Sequence, residues 1–483
     1  MHRAPATSWI IVFFLVHVTV WTLYGVLSNP GALHPDMLEA YLWGHEFQLG
    51  YYKHPPLWAW LAGAWFEIFP RSNWAYFILA AINSSLALLG IWRLYGLYAG
   101  GRAKWTAFLL LFATPFYTFM ALRLNANTIL LSLWPWAAYF FAKSIERLSL
   151  SSAGMFGVLA AAALLSKYYS AILLAACVAA SFLHPNARKY YRSAAPYLSV
   201  GVCCLLLIPH LLWVLGHQFQ TLKYAESKAS FSDAKVYASI VAFFFGCIAL
   251  NSVAIVLGLV SKPAFTKIED AGYHDRSRFL AVLALAPFAL TILVGLLLHL
   301  RLSTNFAIPI FFLFPLVLIR LLKPNIARLE KLASSFAAAV YLAALPIGFT
   351  GSIIMFNQNK TLSVMPSLEI AQEAERLWAK ATRAPVRTVA GSYPYAMVAA
   401  FYGDGEVKEF TRFDPSLAPW ISPERLARTG LLAICVEGDL LCIERATGYM
   451  SPAASRHTVI AAHHFRGVAA QPRSFEVFVI PPK

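Results

Sequence analysis

The feature that most constrains this chain is a succession of long apolar runs with almost no charge inside them. The first, Ser8 to Ser28, is about 20 residues long, the length a helix needs to cross the hydrocarbon core of a bilayer. It lacks the small-x-small cleavage pattern of a secretory signal, so it reads as a true span. Ten more follow, at roughly 73–93, 104–122, 126–142, 151–166, 168–183, 194–216, 237–260, 278–299, 303–322 and 332–354. Inside lipid every backbone polar group needs an internal partner, so such runs fold as helices. Only 13% of the residues are charged, where a soluble domain carries about 25%. The expected fold class is a polytopic α-helical membrane protein of about 11–13 transmembrane helices with a small C-terminal α/β domain.

A net charge of +16 on a soluble domain would suggest nucleic acid. Here the basic residues are better read as topology signals, and no nucleic-acid partner is expected. With the N-terminus inside, Lys and Arg concentrate in the connections at 93–104, 143–147, 188–192, 262–278 and 320–331. The opposite connections hold about half as many: Lys53, Arg71, Arg123, Lys167, Lys223, Lys228, Lys235 and Arg301. An odd number of spans then places the tail outside the cytoplasm. The division expected is a membrane domain over 1–355, with a large first outer loop at 29–72, and a periplasmic domain over 356–483. The localisation expected is the bacterial inner membrane, multi-pass, among membrane lipids.

The tail differs in pattern from the rest. Ser367 to Arg383 has the apolar spacing of an amphipathic helix, and VRTVAGS, LLAICVEG, LLCIERA, TVIAAHHF and FEVFVIP read as short strands. Of six cysteines, Cys177, Cys203, Cys204 and Cys247 lie in apolar spans and read as packing residues. Cys435 and Cys442 lie in the tail, where an oxidising compartment would permit a disulfide.

Chemistry concentrates in the first outer loop, HPDMLEAYLWGHEFQLGYYKHPPLWAWL, residues 34–61. It holds Asp36, Glu39 and Glu46 beside His34, His45, Lys53 and His54. If the first part is helical, Asp36 and Glu39 share a face. A carboxylate here could serve as general base on a sugar hydroxyl, bind a metal ion, or simply be solvated. Pro55-Pro56 suits the first turn of a helix running from Leu57 to Phe69, whose free N–H groups would face an anion near His54.

The run Gly50-Tyr51-Tyr52-Lys53-His54-Pro55-Pro56-Leu57, with Asp36 upstream, resembles the first outer loop of the GT-C membrane glycosyltransferases. The similarity is to the lipid A aminoarabinose transferases and the dolichyl-phosphate-mannose protein mannosyltransferase relatives, and it is strongest over residues 30–145. That resemblance implies a polyprenyl-phosphate-linked sugar as donor, used at the periplasmic face, and a lipid, glycan or protein as acceptor. It implies that Asp36 activates or positions the acceptor, with Glu39 supporting it or holding a divalent ion. No other cofactor is implied. Lys53 and His54 would contact the donor phosphate, with Tyr52 beside them as a substrate-positioning residue. His54 stands where lysine is common, and neutral histidine is the poorer anion partner.

Many relatives also carry an aspartate in the next outer loop. Here the run is Arg123-Leu-Asn-Ala-Asn127, and Asn127 occupies that position. Asn127 and Arg123 are therefore candidates for positioning substrate, although an asparagine there also suits a helix cap. Arg301 could fork onto a phosphate or a uronic carboxylate, or snorkel to the headgroups. The same two readings apply to Lys167-Tyr168-Tyr169. Lys223, Tyr224 and Lys228 could belong to a lid over the donor. The rival function is a transporter or flippase of lipid-linked sugar, which would place ionisable groups within its spans. These spans are nearly free of acids. A non-catalytic scaffold is the third reading.

Overall fold

The computed structural model describes residues 7–227, 232–261, 276–359 and 361–483; Lys228 and most of the 262–278 connection lie outside them. Among the described residues, seven helices are long and apolar enough to cross a membrane: Ile10–Ser28, Asn73–Tyr95, Ala195–Gly216, Asp233–Val260, Ser277–Leu297, Thr304–Leu322 and Ile326–Asn357. The remaining four expected spans are present as shorter or interrupted helices. Leu130–Arg147 contains Pro135, and Leu150–Ser166 and Ala171–Ser181 are short. The span expected at 104–122 is broken: Gly101–Leu109 gives way to a 3-10 turn at Leu110–Ala113, then an irregular stretch, then a second 3-10 turn at Phe119–Leu122. Pro115 within that stretch has no N–H to continue a helix.

The residues group into two compact units. One takes 1–22, 49–58 and 78–344; the other takes 23–48, 59–77 and 345–483. The first unit is the helical array. Leu150–Ser166 lies between Leu130–Arg147 and Ala195–Gly216, and its AAAA run is the kind of small-residue face that lets membrane helices approach closely.

The second unit is built on a five-stranded sheet. The strands are β1 (Thr388–Gly391), β2 (Lys408–Glu409), β3 (Leu431–Val436), β4 (Ser455–Ala461) and β7 (Arg473–Ile480). A small hairpin, β5 (His464–Phe465) and β6 (Val468–Ala469), stands apart. The sheet order is β2-β1-β3-β7-β4, with β1 parallel to β2 and β3 and with β7 antiparallel to β3 and β4. The amphipathic helix forms over Ser367–Ala381 and buries Ile370, Ala371, Ala374 and Trp378.

One expected strand is a helix. LLCIERA folds as Leu440–Thr447, because the Asp439 side chain caps it by accepting from the Cys442 N–H at 3.2 Å. Cys442 and Ala446, four apart, then face inward. Cys442 is disulfide-bonded to Cys435 of β3.

The tail also packs against parts of the first loop. Helix Pro35–Gly44 and the run Leu57–Phe66 meet at glycines. A Cβ on Gly44 would stand 1.9 Å from the Ala59 carbonyl oxygen, and one on Gly63 would stand 2.4 Å from Gly44. Tyr41 and Phe66 both pack edge-on against Phe401 of helix Tyr395–Tyr402. Arg71 donates to the Gly403 carbonyl at 2.9 Å, and the Tyr402 hydroxyl donates to Asn73 and accepts from the Leu33 N–H. Lys408 of β2 pairs with Glu46 at 2.8 Å, both side chains largely buried.

Burial holds the Glu46 carboxyl above its usual range even though Lys408 opposes it. Removing one partner of such a pair strands the other without compensation. Lys408→Met is therefore expected to cost roughly 2–4 kcal/mol, seen as a lower thermal midpoint of the full chain in lipid. Lys408→Met combined with Glu46→Leu is expected to recover most of that loss. An unchanged midpoint in the single variant would show that the pair contributes nothing.

His463 makes a second clasp. One ring nitrogen lies 2.7 Å from the Glu369 carboxylate and the other 2.9 Å from the Pro30 carbonyl. Both partners are acceptors, so the doubly protonated ring satisfies both. The hydrogen bond that His463 donates to Glu369 raises the His463 pKa against the effect of burial, and the same bond helps hold Glu369 below its usual value. A raised histidine stabilises the fold fully below its unfolded pKa, and that contribution is lost as pH rises through the folded value. A depressed glutamate contributes above its unfolded value, and that is lost as pH falls. The clasp is thus fully formed from about pH 5 to 6.5. Amide hydrogen exchange at residues 30–34 and 463–465, corrected for intrinsic rate, is expected to rise between pH 7 and 9. Flat corrected rates would remove His463 as the pH-sensitive element.

Candidate functional site

Within the helical unit the motif 49–58 is fixed by its backbone. The Tyr51 N–H donates to the His54 carbonyl at 3.1 Å, closing a tight turn. The Tyr51 carbonyl accepts from Thr221, and the Leu49 carbonyl lies 2.7 Å from His210 Nδ1. Nε2 of the same ring lies 2.7 Å from the Tyr168 hydroxyl. His210 therefore ties the loop to a spanning helix and to the turn at 167–170. Gly50 is needed because a Cβ there would sit 2.3 Å from the Trp213 ring. Pro55 and Pro56 precede the helix, which starts at Leu57 and ends at Phe66, three residues earlier than expected.

The turn places Lys53 and His54 among aromatic rings. His54 meets Trp58 edge-on at 5.7 Å and Tyr224 at 6.4 Å, and Tyr224 in turn meets Tyr52. Lys53 Nζ lies 5.3 Å from the centre of the Tyr52 ring. Burial pushes the His54 imidazole well below its usual pKa, and the charges of Lys167 and Lys53 push it the same way. His54 is therefore a neutral hydrogen-bonding group at neutral pH, and the positive charge here belongs to the two lysines.

Lys167, which the sequence leaves open between a phosphate contact and a snorkelling residue, donates to the Asn127 side-chain oxygen, and its Nζ lies 4.6 Å from the Phe306 ring centre. Tyr169 stacks on Trp134 and bonds to Thr291, which fixes the turn that carries Lys167.

The cap reading of Asn127 is overturned. The helix that follows starts at Leu130, with Ile129 at its N-cap and no side-chain cap. The Asn125 side-chain oxygen instead closes the preceding turn, accepting from the N–H groups of Asn127 and Thr128 at 2.8 and 3.1 Å. Asn83 holds that turn by donating to the Thr128 carbonyl at 2.8 Å and accepting from Ser132. The Asn127 side-chain oxygen accepts from Lys167. Arg123 is exposed in this turn and lends it only a backbone carbonyl. Lys223 is exposed on Gln220–Ser227, and Arg301 is exposed on the turn before Thr304–Ala307.

Asp36 and Glu39 belong to the other unit. The helix expected there forms over Pro35–Gly44. Pro35 sits in its first turn, and the His34 ring accepts from the Asp36 N–H at 3.2 Å. The Asp36 side chain is 41% exposed, whereas Glu39 is buried. Among the described residues, no group of three or more His, Cys, Asp and Glu side chains is placed to hold a metal ion.

The whole architecture superposes on solved membrane transferases. ArnT from Cupriavidus metallidurans bound to undecaprenyl phosphate aligns over 98% of both chains with a TM-score of 0.66 at 13% identity. The apo state of the same protein aligns with a TM-score of 0.51 at 14% identity. The fold is the GT-C fold. Residues 53–213 also match the family described as dolichyl-phosphate-mannose-protein mannosyltransferase. The lipid A galacturonosyltransferase RgtD of Rhizobium johnstonii is 24% identical over 218 residues, which is 44% of this chain. The match spans 45% of that relative's length. The family match begins at Lys53 and ends at Trp213, so it takes in Lys53, His54, Asn127 and Lys167.

Proposed function

We propose that this GT-C protein is a glycosyltransferase. It moves a sugar from a polyprenyl-phosphate donor to an envelope acceptor, most simply lipid A, at the periplasmic face of the bacterial inner membrane. The observation that carries the reading is the pair of lysines, Lys53 and Lys167, standing with neutral His54 inside an aromatic wall. Two cations in such surroundings suit an anion that is itself partly desolvated, as a lipid-linked phosphate is. A GT-C relative with undecaprenyl phosphate bound and a lipid A transferase relative support the donor and the acceptor. The disulfide between Cys435 and Cys442 supports an oxidising compartment for the tail.

In the reaction the acceptor oxygen forms a bond to the anomeric carbon while the bond from that carbon to the phosphate oxygen breaks. Negative charge grows on the leaving phosphate. Lys53 and Lys167 stabilise that charge, which is where binding energy accelerates the step. His54 donates a hydrogen bond without adding charge. Asn127 accepts from the Lys167 ammonium and, being neutral, adds no opposing charge of its own. Asp36, half exposed at a helix start, takes or orients the acceptor proton.

The test is transfer from a panel of synthetic polyprenyl-phosphate sugars to purified lipid A and to envelope extract, with the protein reconstituted in lipid. Transfer from one donor supports the reading and names the sugar. No transfer from any donor, together with uptake of lipid-linked sugar into vesicles, would replace it with a transporter.

A further inference from the structure

An apolar groove lies near the C-terminal end of helix Asn73–Tyr95. Helix Asn73–Tyr95 has 23 residues and spans about 34 Å, a full hydrocarbon thickness. Its C-terminal end therefore stands at the opposite edge of the bilayer from its start. At that end a cavity of about 370 Å³ opens between three helices. Phe13 and Phe14 of Thr7–Ser28, Leu88, Leu89 and Trp92 of Asn73–Tyr95, and Trp105 of Gly101–Leu109 line it. Its walls are entirely apolar and aromatic.

The mouth of the cavity is cationic. Lys104 Nζ lies 3.5 Å from the centre of the Trp92 ring, which itself lines the groove. Arg93, next in sequence to Trp92, is exposed. The helix carrying Lys104 is capped by Gly100 with no side-chain acceptor for its first N–H groups, and a Cβ at Gly100 or Gly101 would meet nothing within 4 Å. Free helix N–H groups with open space beside them favour an anion. Two features thus converge: a groove for a hydrocarbon chain, and two basic side chains close to each other beside Trp92, which lines it.

We propose that this groove binds an anionic phospholipid, one acyl chain lying among Phe13, Leu89, Trp92 and Trp105 and the phosphate meeting Lys104 and Arg93. The two tryptophans sit where indole rings favour the headgroup level. The site is separate from the one that holds Lys53 and Lys167, and it requires no glycosyl transfer.

The experiment is native mass spectrometry of the full chain released from nanodiscs made with phosphatidylglycerol or with phosphatidylcholine. The wild type is expected to retain one phosphatidylglycerol under conditions that strip phosphatidylcholine. Arg93→Gln with Lys104→Gln is expected to lower that retention about tenfold, since each basic residue near the surface contributes separately. Leu89→Trp, which fills the groove and keeps both cations, is expected to lose the lipid as well. Thermal midpoints within a degree or so of wild type confirm folding, and Arg93→Gln alone, at an exposed position, serves if the double variant is unstable. Equal retention of both lipids, retention unaffected by the charge variants, or retention unaffected by Leu89→Trp would overturn the proposal. Displacement of the lipid by soluble glycerol phosphate would also overturn it, because the headgroup alone would then suffice.

Discussion

Replacing Lys167 with methionine is expected to lower kcat for sugar transfer by about 10²–10³, with a smaller effect on donor KM. The substitution keeps the length and apolar stem of the side chain beside Phe306 and removes only the charge. A charge that acts mainly on the leaving phosphate is worth more in the transition state than in the ground state, so its loss falls chiefly on kcat. The Asn127 position sharpens the test. Asn127 accepts from Lys167 through a neutral oxygen, and Asn127→Asp would place a carboxylate against the ammonium. That change is expected to reduce transfer as well, by roughly tenfold, because a paired lysine stabilises a phosphate less. If Lys167→Met keeps full activity while the protein remains folded, the phosphate is held elsewhere and the two-lysine reading fails.

Asp36→Asn is expected to remove transfer almost completely, by about 10²–10⁴ in kcat if the carboxylate acts as general base. Asparagine is nearly the same shape, can be accommodated in the first turn after Pro35, and cannot accept the acceptor's proton. The folded state should survive, since the Asp36 side chain is 41% exposed and its contact with the His34 ring is long, at 3.6 Å. Substitution of Glu39 gives a different expectation, because that side chain is buried. Its removal should show in thermal stability as well as in rate. An Asp36→Asn variant with wild-type turnover would leave the acceptor proton without an assigned destination, and the base would have to be sought among other groups.

The two predictions differ in how far the sequence supports them. Asp36, Lys53 and His54 stand in one recognisable stretch, and their roles could be anticipated from a motif. Lys167 and Asn127 are 40 residues apart, and no local pattern joins them. Asn127 suits a helix cap by sequence, but the helix starts later, at Leu130, and the Asn127 side chain accepts from Lys167 instead. The sequence already suggests a neutral His54; burial and two lysines, one of them in a distant turn, push its pKa further down.

The sequence by itself determined the membrane class, the positions of the spanning helices, the Ser367–Ala381 helix and most of the strands. Each of these follows from apolar periodicity within a short window, and such periodicity is a local property. The tertiary structure decided three things. It broke the span at 104–122, it turned LLCIERA from a strand into a capped, disulfide-linked helix, and it divided the first loop between two compact units. Pro115 breaks the first locally, by lacking an N–H; in the second, the Asp439 side chain offers the backbone an alternative hydrogen bond. A short apolar run satisfies strand and helix patterns almost equally well, so a cap or a crosslink worth about 1–3 kcal/mol is enough to choose.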